Sequence, residues 1–526
     1  MNLIKDKWIP VIREDETQDT ISPFQISEID NPVIEINAPR PDFQGALYQF
    51  LIGLLQTCLA PADEDDWLEF WNEFPKIPDV KIAFNRVADA FELFNPDGPA
   101  FMQDFDLPGG EHKSISTLLI EAPGAKTVRV NFDHFIKRSR VKQMCPGCTA
   151  TALFTLQINA PSGGQGNRVG LRGGGPLTTL VVPNQTHHFL WHKLWINILN
   201  SEEIEKAQQV PDYLTLPWLG RTRESSKKGS ITIPEMVHPI HMYWSMPRRI
   251  RLNPIESENG DCDICGASST KLFKSYRAKN YGFNYDGAWV HPLTPYRFDD
   301  EHKNPPLSLK GQKGGLGYRH WLGLAFQDPV KGEQAAAVVR FYNEDRINSI
   351  QGQAGILWCF GFDMDNMKAR CWYDTQLPLF YLDPKQRINL IDWTGQLIQA
   401  AREALKLLKT EIKSAWFQRP KDAKGDMSMI DGQFWESTEP IFYKILEQTA
   451  RLSGDTRMAP ASVYQLWYKT LEKQVFSIFE KMTMETAPEN LELQDIVLAR
   501  EWLKKKFYGN KLMKSIKKNA TEEVEI

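Results

Sequence analysis

Four of the chain's seven cysteines fall into two Cys-x-x-Cys pairs, Cys145-Pro146-Gly147-Cys148 and Cys262-Asp263-Ile264-Cys265. Each pair is a two-residue knuckle that can turn both sulfurs toward one point. Gly147 and Gly266 suit the tight turns that aim backbone N–H groups at sulfur. Together the pairs supply four soft ligands, the closed tetrahedral set preferred by structural zinc. Compact zinc ribbons place their pairs about 15–20 residues apart, whereas more than a hundred residues separate these two. One shared ion would therefore tie together two distant segments, and any fold must bring them into contact. A site of this kind contributes on the order of 10 kcal/mol to the ordered state. The competing readings are two spatially unrelated pairs, or redox dithiols. A thioredoxin-like site asks for one such pair opening a helix in a βαβ setting. Four thiolates leave no open position for water, so catalytic zinc is not expected. Cys58, Cys359 and Cys371 stand alone in apolar surroundings and read as core residues.

The rest of the chain must supply the cores that those knuckles join. At 526 residues it is too long for one ordinary core, so two or more domains are expected. Through the first 385 or so residues, short β-like runs alternate with helical ones and many Gly/Pro turns. The β-like runs are Val33-Ile34-Glu35-Ile36, Thr127-Val128-Arg129-Val130 and Ala336-Ala337-Val338-Val339-Arg340-Phe341. A helix is predicted from Gln44 to Leu59, with Leu47, Phe50, Leu51, Leu54 and Leu55 on one stripe. No βαβ rhythm emerges, which predicts an irregular mixed α+β lobe over residues 1–385. After Asp383-Pro384 the pattern changes to four helical segments, Ile388–Trp416, Phe434–Leu452, Ser462–Met484 and Leu491–Ile516. Turns at Gly425, Ser453-Gly454 and Ala487-Pro488 separate them, so residues 386–526 are predicted to form an antiparallel four-helix bundle.

No run of about 18 uncharged apolar residues occurs, so no membrane span is expected. The stretch Met1 to Trp8 lacks the apolar run of a signal peptide. The expectation is a cytoplasmic protein, where paired cysteines read as metal ligands before disulfides. A net charge of −4 excludes no partner, because a nucleic-acid binder needs its cations on one face only. The ten His form no His-Glu pair and no nucleophile motif is present, so no catalytic residue is assigned and a zinc enzyme is disfavoured.

Two stretches have the local character of nucleic-acid contacts. Ser162 to Pro176 contains seven glycines with Gln165, Asn167, Arg168 and Arg172 among them. It lacks the Gly-Lys-Ser/Thr of a P-loop and the strand–helix setting of a dinucleotide fingerprint. A backbone so bare can approach a groove only about 6 Å wide, such as the B-DNA minor groove; a flexible surface loop is the plainer alternative. Just before the first cysteine pair, Lys126, Arg129, Lys137, Arg138, Arg140 and Lys142 interleave with Val130-Asn131-Phe132 and Phe135. Cations beside aromatics suit phosphate contact plus base stacking, or else a solvated basic loop.

A collinear set of short matches runs across nearly the whole chain. It comprises Met1-Asn2-Leu3 with Trp8-Ile9-Pro10-Val11, Pro39-Arg40, Pro99-Ala100-Phe101-Met102-Gln103, and Cys145 to Ala150. It continues with Gly170-Leu171-Arg172-Gly173-Gly174, Pro176, Thr178-Thr179, Cys262 and Cys265, Gly287 with Trp289, His291-Pro292, Pro295 and the C-terminal helices. In this order they resemble the large subunit, the CasA family, of the type I-E CRISPR Cascade complex. The resemblance implies a non-catalytic subunit beside the 5′ handle of the guide crRNA and the other Cascade subunits. Such a subunit recognises the protospacer-adjacent motif in double-stranded target DNA, helps open the duplex and docks the helicase–nuclease. Guide pairing reads the sequence and protein reads the motif. The resemblance places motif recognition on Gln165, Gly166 and Asn167 and on Arg277 or Lys279. It places motif or guide-handle contact at Asn131, with Phe132, Lys137, Arg138 and Arg140 in the same loop. The strand-separating wedge falls on Asn366, Met367 and Lys368, where Met367 replaces the family's Gln; packing of Met367 against Phe360, Phe362 and Trp372 is the alternative. A second overall reading is a zinc-stabilised architectural interaction subunit that does not read DNA.

Overall fold

The computed structural model describes the chain apart from residues 106, 123–139, 162, 184–188, 205–211, 254–258, 300, 302, 312–313, 351–354, 366–367, 423–425, 453, 486–491 and 522–526. The fold is mixed α+β with several small antiparallel sheets and a helical C-terminal region. Two compact units divide it. The first takes Met1–Gly311 with Gly332–Leu379, and the second takes Gln312–Lys331 with Phe380–Ile526.

The first unit is built around the helix Pro41–Cys58, whose Pro41 sits in the first turn, where the missing N–H costs nothing. Its side chains are buried on nearly every face from Asp42 to Gln56, so it is a central helix and not a surface one. Phe50 is its hub: the rings of Trp8, Phe91, Phe101, Phe154 and Trp244 meet it edge-on at 5.3–6.0 Å. Phe154 comes from the second central helix, Pro146–Asn159. Three sheets surround this core. Ile9–Arg13 lies between Gln18–Ile21 and Val33–Ile36. Ser275–Lys279 lies between Glu111–Ser114 and Arg249–Leu252. The long strand Gly355–Asp365 lies between Thr178–Pro183 and Lys368–Pro378.

One β-like run takes the other conformation. Ala337–Phe341 is a helical turn that continues through Tyr342–Arg346 and Ile347–Ser349. Val338, Val339, Tyr342 and Ile347 are buried in this arrangement, and Arg346 is sandwiched 4.2 Å from the Trp67 ring centroid and 4.8 Å from that of Phe341. Burial on a helical face outweighs the β preference of two adjacent valines. The run Thr127–Val130 lies outside the described residues.

In the second unit the helix Pro384–Trp416 begins four residues before its predicted start. Asp383 and Gln386 form a capping box, and Pro384 occupies the first helical position. Trp467 of Ala461–Glu480 donates to Leu397 O at 2.9 Å, Asp431 of Ser428–Ala450 receives Lys409 at 2.7 Å, and Lys506 of Leu493–Gly509 reaches the buried Glu411 at 2.6 Å. The segment Gln312–Lys331 docks through Tyr318, whose ring stacks 4.2 Å from that of Phe442 and whose hydroxyl meets Thr438 Oγ at 2.8 Å. The last predicted segment is two helices, Leu493–Gly509 and Lys511–Asn519. Asn510 breaks them apart by turning its side chain to cap the N–H groups of Leu512 and Met513. Among the described residues, no helix is long and apolar enough to cross a membrane.

Candidate metal centre and nucleic-acid surface

The two cysteine knuckles meet. The sulfurs of Cys145, Cys148, Cys262 and Cys265 all lie within 4.8 Å of one another, and Cys145 and Cys265 are 3.8 Å apart. A tetrahedral ion with bonds of about 2.3 Å to sulfur requires sulfur–sulfur distances of about 3.8 Å. All four cysteines are free thiols, so the cluster has the spacing of a metal site and not of a disulfide pair.

Local sequence explains each knuckle. Cys145 is the N-cap of Pro146–Asn159, and its sulfur accepts from the N–H of Cys148 at 3.5 Å. The positive end of that helix favours thiolate charge. On the other side, Gly266 takes φ +73°, closing the turn with a 2.8 Å bond to Cys262 O. Asp263 joins the two, its carboxylate accepting from the N–H groups of Lys142 and Gln143 at 2.6 and 2.9 Å. A backbone bridge between Met144 and Phe273 completes the join. As thiols, Cys145, Cys148 and Cys262 interact strongly. Cys145, then Cys262, pushes the Cys148 thiol far above its ordinary value, while bonds from Cys145 and Cys148 hold Cys262 well below. A dication shared by all four removes that conflict.

The glycine loop and the candidate motif strand are also brought together. Gln165 is exposed and Gly166 and Asn167 are half-buried, in a turn where Gly163, Gly164 and Gly166 all have positive φ. Tyr281 N–H donates to Gly166 O at 2.8 Å, and Asn280 Nδ2 donates to Gln165 O at 2.7 Å. Those two residues directly follow the strand Ser275–Lys279. Strand alternation puts Arg277 and Lys279 on one face, opposite Arg251 and Arg249. Arg249 is neutralised by Asp104 at 2.5 Å and Glu224 at 3.1 Å. Arg251 is held by the carbonyls of Asn95 and Gly98, and burial first, then the charge of Arg277, draws its pKa down. Among the described residues Arg277 has no ion-pair partner, and the exposed Lys279 has only Pro108 O at 3.5 Å. The face is therefore a positive patch beside a bare backbone.

The two arginines of the glycine stretch are structural. Arg172 is 4% exposed and donates to Thr178, Thr294 and Gln49; burial lowers its pKa to about 10. Arg168 is committed to Ser225. Asn131, Phe132, Lys137 and Arg138 lie outside the described residues, as do Asn366 and Met367. Of the remaining candidates, Arg140 is exposed, and Lys368 is exposed and pairs in register with Asp365, where the two strands of the long hairpin end. Sequence reading missed Ser225, Asn280 and Tyr281. The only sequence signal for the last two is an Asn-Tyr-Gly turn just beyond the strand, and Ser225 has none.

Comparison with known proteins places the whole chain. The family whose model matches is described as CRISPR-associated protein Cse1, over residues 2–478. Thermobifida fusca Cse1 superposes with a TM-score of 0.69 at 14% identity, covering 99% of each chain. Thermus thermophilus CasA (Cse1) gives 0.64 at 18% identity over 96% of this chain and 99% of that one. A chain of a CRISPR RNA-guided surveillance complex gives 0.65 at 13% identity over 97% and 99%. At these identities the structural likeness is one of fold.

Proposed function

The chain belongs to the CRISPR-associated Cse1 family, the large subunit of type I-E Cascade, and from that premise we propose that it reads the protospacer-adjacent motif. It acts as a non-catalytic part of an RNA-guided surveillance complex, with the other Cascade subunits, the crRNA 5′ handle and double-stranded target DNA as partners. One observation carries this reading: the bare backbone of Gln165–Asn167 is hydrogen-bonded to the residues that follow Arg277 and Lys279. That surface combines a backbone thin enough for a narrow groove with cations placed for the flanking phosphates. The hairpin that ends at Asp365 and Lys368 is the proposed site of strand separation, and the helices of residues 386–526, read as a four-helix bundle, are the proposed platform for partners including the helicase–nuclease.

The four cysteines would hold zinc in a role confined to architecture, since a complete thiolate set leaves no position for substrate. Burial also depresses the pKa of His241, His291 and His320, which keeps these imidazoles neutral, as structural groups are.

The test is binding by the reconstituted complex to a library of duplexes that differ only in the motif. Gly166→Asp is expected to abolish the preference, through bulk in the loop and repulsion from phosphate. Motif preference surviving Gly166→Asp would remove the basis of this reading and favour an architectural subunit.

A further inference from the structure

A loop of glycines has no intrinsic shape. Each glycine gives up more backbone freedom on ordering than any other residue, so a geometry fixed enough to read a groove must be imposed from outside. The structure shows what imposes it. Just after the loop, Arg168 sends Nε to Ser225 Oγ and Nη2 to Ser225 O, both at 2.7 Å. Ser225 is 3% exposed, its hydroxyl donates to Gly282 O at 2.7 Å, and its N–H donates to Tyr281 O at 3.1 Å. Tyr281 returns to the loop through its N–H to Gly166 O at 2.8 Å, and its ring lies under the Arg168 guanidinium at 5.8 Å. Asn280 holds the neighbouring carbonyl, that of Gln165. The circuit is closed: 165–168 to 225, 225 to 281–282, and 280–281 back to 165–166.

Tyr281 itself has φ +65°, a conformation that costs a non-glycine residue on the order of 1–2 kcal/mol. Such a residue persists where its surroundings over-determine it. Here the backbone bonds of Tyr281, to Gly166 and from Ser225, do so, and they turn the chain after Lys279 toward the loop.

We propose that Arg168, Ser225, Asn280 and Tyr281 are positioning residues that set motif specificity, holding the glycine loop in one conformation at a fixed offset from Lys279. None of them needs to touch DNA. The inference rests on the reading of Gln165–Asn167 as the motif reader. It separates specificity from affinity: releasing the clamp lets the loop sample other shapes, which costs discrimination, whereas Arg277 and Lys279 go on attracting phosphate.

The test uses the reconstituted complex with Arg168→Lys, Asn280→Ala and Tyr281→Phe, and Gly166→Asp as the reference. Lysine keeps the charge but cannot span both oxygens of Ser225. With one or two neutral or charge-assisted bonds lost, Arg168→Lys and Asn280→Ala should each lower the ratio of affinities for motif and motif-mutated duplexes about tenfold. Affinity for motif-less duplex, its salt slope and the metal content should stay at the parental values. Tyr281→Phe keeps the ring and both backbone bonds and should keep the ratio. If Gly166→Asp abolishes discrimination while Arg168→Lys and Asn280→Ala leave it whole, the clamp is overturned and the motif reader stands. If Gly166→Asp also leaves it whole, the motif reader itself is wrong and the clamp falls with it. A uniform loss of binding to every duplex in the Arg168→Lys and Asn280→Ala complexes would show a general structural role and overturn the inference as well.

Discussion

Gly166→Ala is the smallest perturbation that asks whether the loop is held where it is seen. A methyl at Gly166 would lie 2.9 Å from both Asn280 Cβ and Tyr281 Cε1, whereas carbons rest at about 3.5–4.0 Å. The φ of +74° adds about 1–2 kcal/mol for any L side chain. The loop can stay and carry both burdens, or swing away and lose the bonds from Tyr281 N–H and Asn280 Nδ2, at about 1 kcal/mol each. Swinging away relieves the steric clash and the φ strain together, so it is the cheaper course, at about 2 kcal/mol. Gly229 supplies the control. It has φ +83° and nothing within 4 Å of its added methyl, so Gly229→Ala carries only the conformational cost of about 1–2 kcal/mol. The assay pairs denaturant unfolding with the motif-library binding ratio. Both variants should lose similar stability, but only Gly166→Ala should lose motif preference, by about tenfold or more for a loop displaced through two broken bonds. A Gly166→Ala complex that discriminates as well as Gly229→Ala would mean that the packing against Asn280 and Tyr281 does not fix the loop, and the reasoning fails.

Two further outcomes concern one cysteine of the cluster and one buried histidine. Cys265 is the exposed member of the sulfur cluster, so Cys265→Ser removes a ligand without disturbing a core; metal content measured by elemental analysis should fall from one zinc per chain, and thermal stability with it. Protein purified without chelator that carries no metal at all would refute this. His241 has its pKa lowered from 6.5 to about 4 by burial, with Leu214 O beside Nδ1 and the Tyr285 hydroxyl beside Nε2. Because the folded value lies below the unfolded one, its contribution is intact above pH 6.5 and disappears as pH falls toward 4, with a loss of about 2 kcal/mol by pH 5. His241→Gln should flatten the stability–pH curve over that window by about the same amount, and an unchanged slope would show that another group carries the acid sensitivity.

What could be read from sequence follows from how local each signal is. The helix Pro41–Cys58 is written in a contiguous apolar stripe, whereas the apolar periodicity of Pro384–Trp416 begins only at Ile388 and so places its start four residues late, past the Asp383-Pro384…Gln386 cap. The meeting of the four cysteines was legible although its halves are far apart, because two Cys-x-x-Cys knuckles in one chain have few other uses. Ala337–Phe341 misleads because adjacent valines favour a strand in isolation, while the burial of Val338, Val339 and Tyr342 that decides for a helix depends on distant partners. Arg172 misleads for a related reason. Charge in a glycine-rich stretch suggests solvent or phosphate, and only the fold brings Gln49, Thr178 and Thr294 around the guanidinium. Nor does hydropathy reveal that Gln312–Lys331 joins the C-terminal helices, because its anchor is the ring of Tyr318 against Phe442, more than a hundred residues away.

The same distinction explains why the glycine loop, the proposed motif reader, looks so uninformative by itself. A surface that must enter a narrow groove cannot carry the side chains that would fix its own shape, so the fixing residues have to sit elsewhere in the chain. Here they are Ser225, Asn280 and Tyr281, and the segment that carries the last two is pinned from both ends. Upstream, Phe273 bridges to Met144 beside the first cysteine pair, and Asp263 within the second pair binds the backbone of Lys142 and Gln143. In the middle, Ser275–Lys279 has a strand on each side. Downstream, Tyr281 is locked by Ser225 and Gly166. The sulfur cluster and the glycine loop, the two features most visible in the sequence, are therefore joined through one short central strand, and Arg277 and Lys279 lie on it between them.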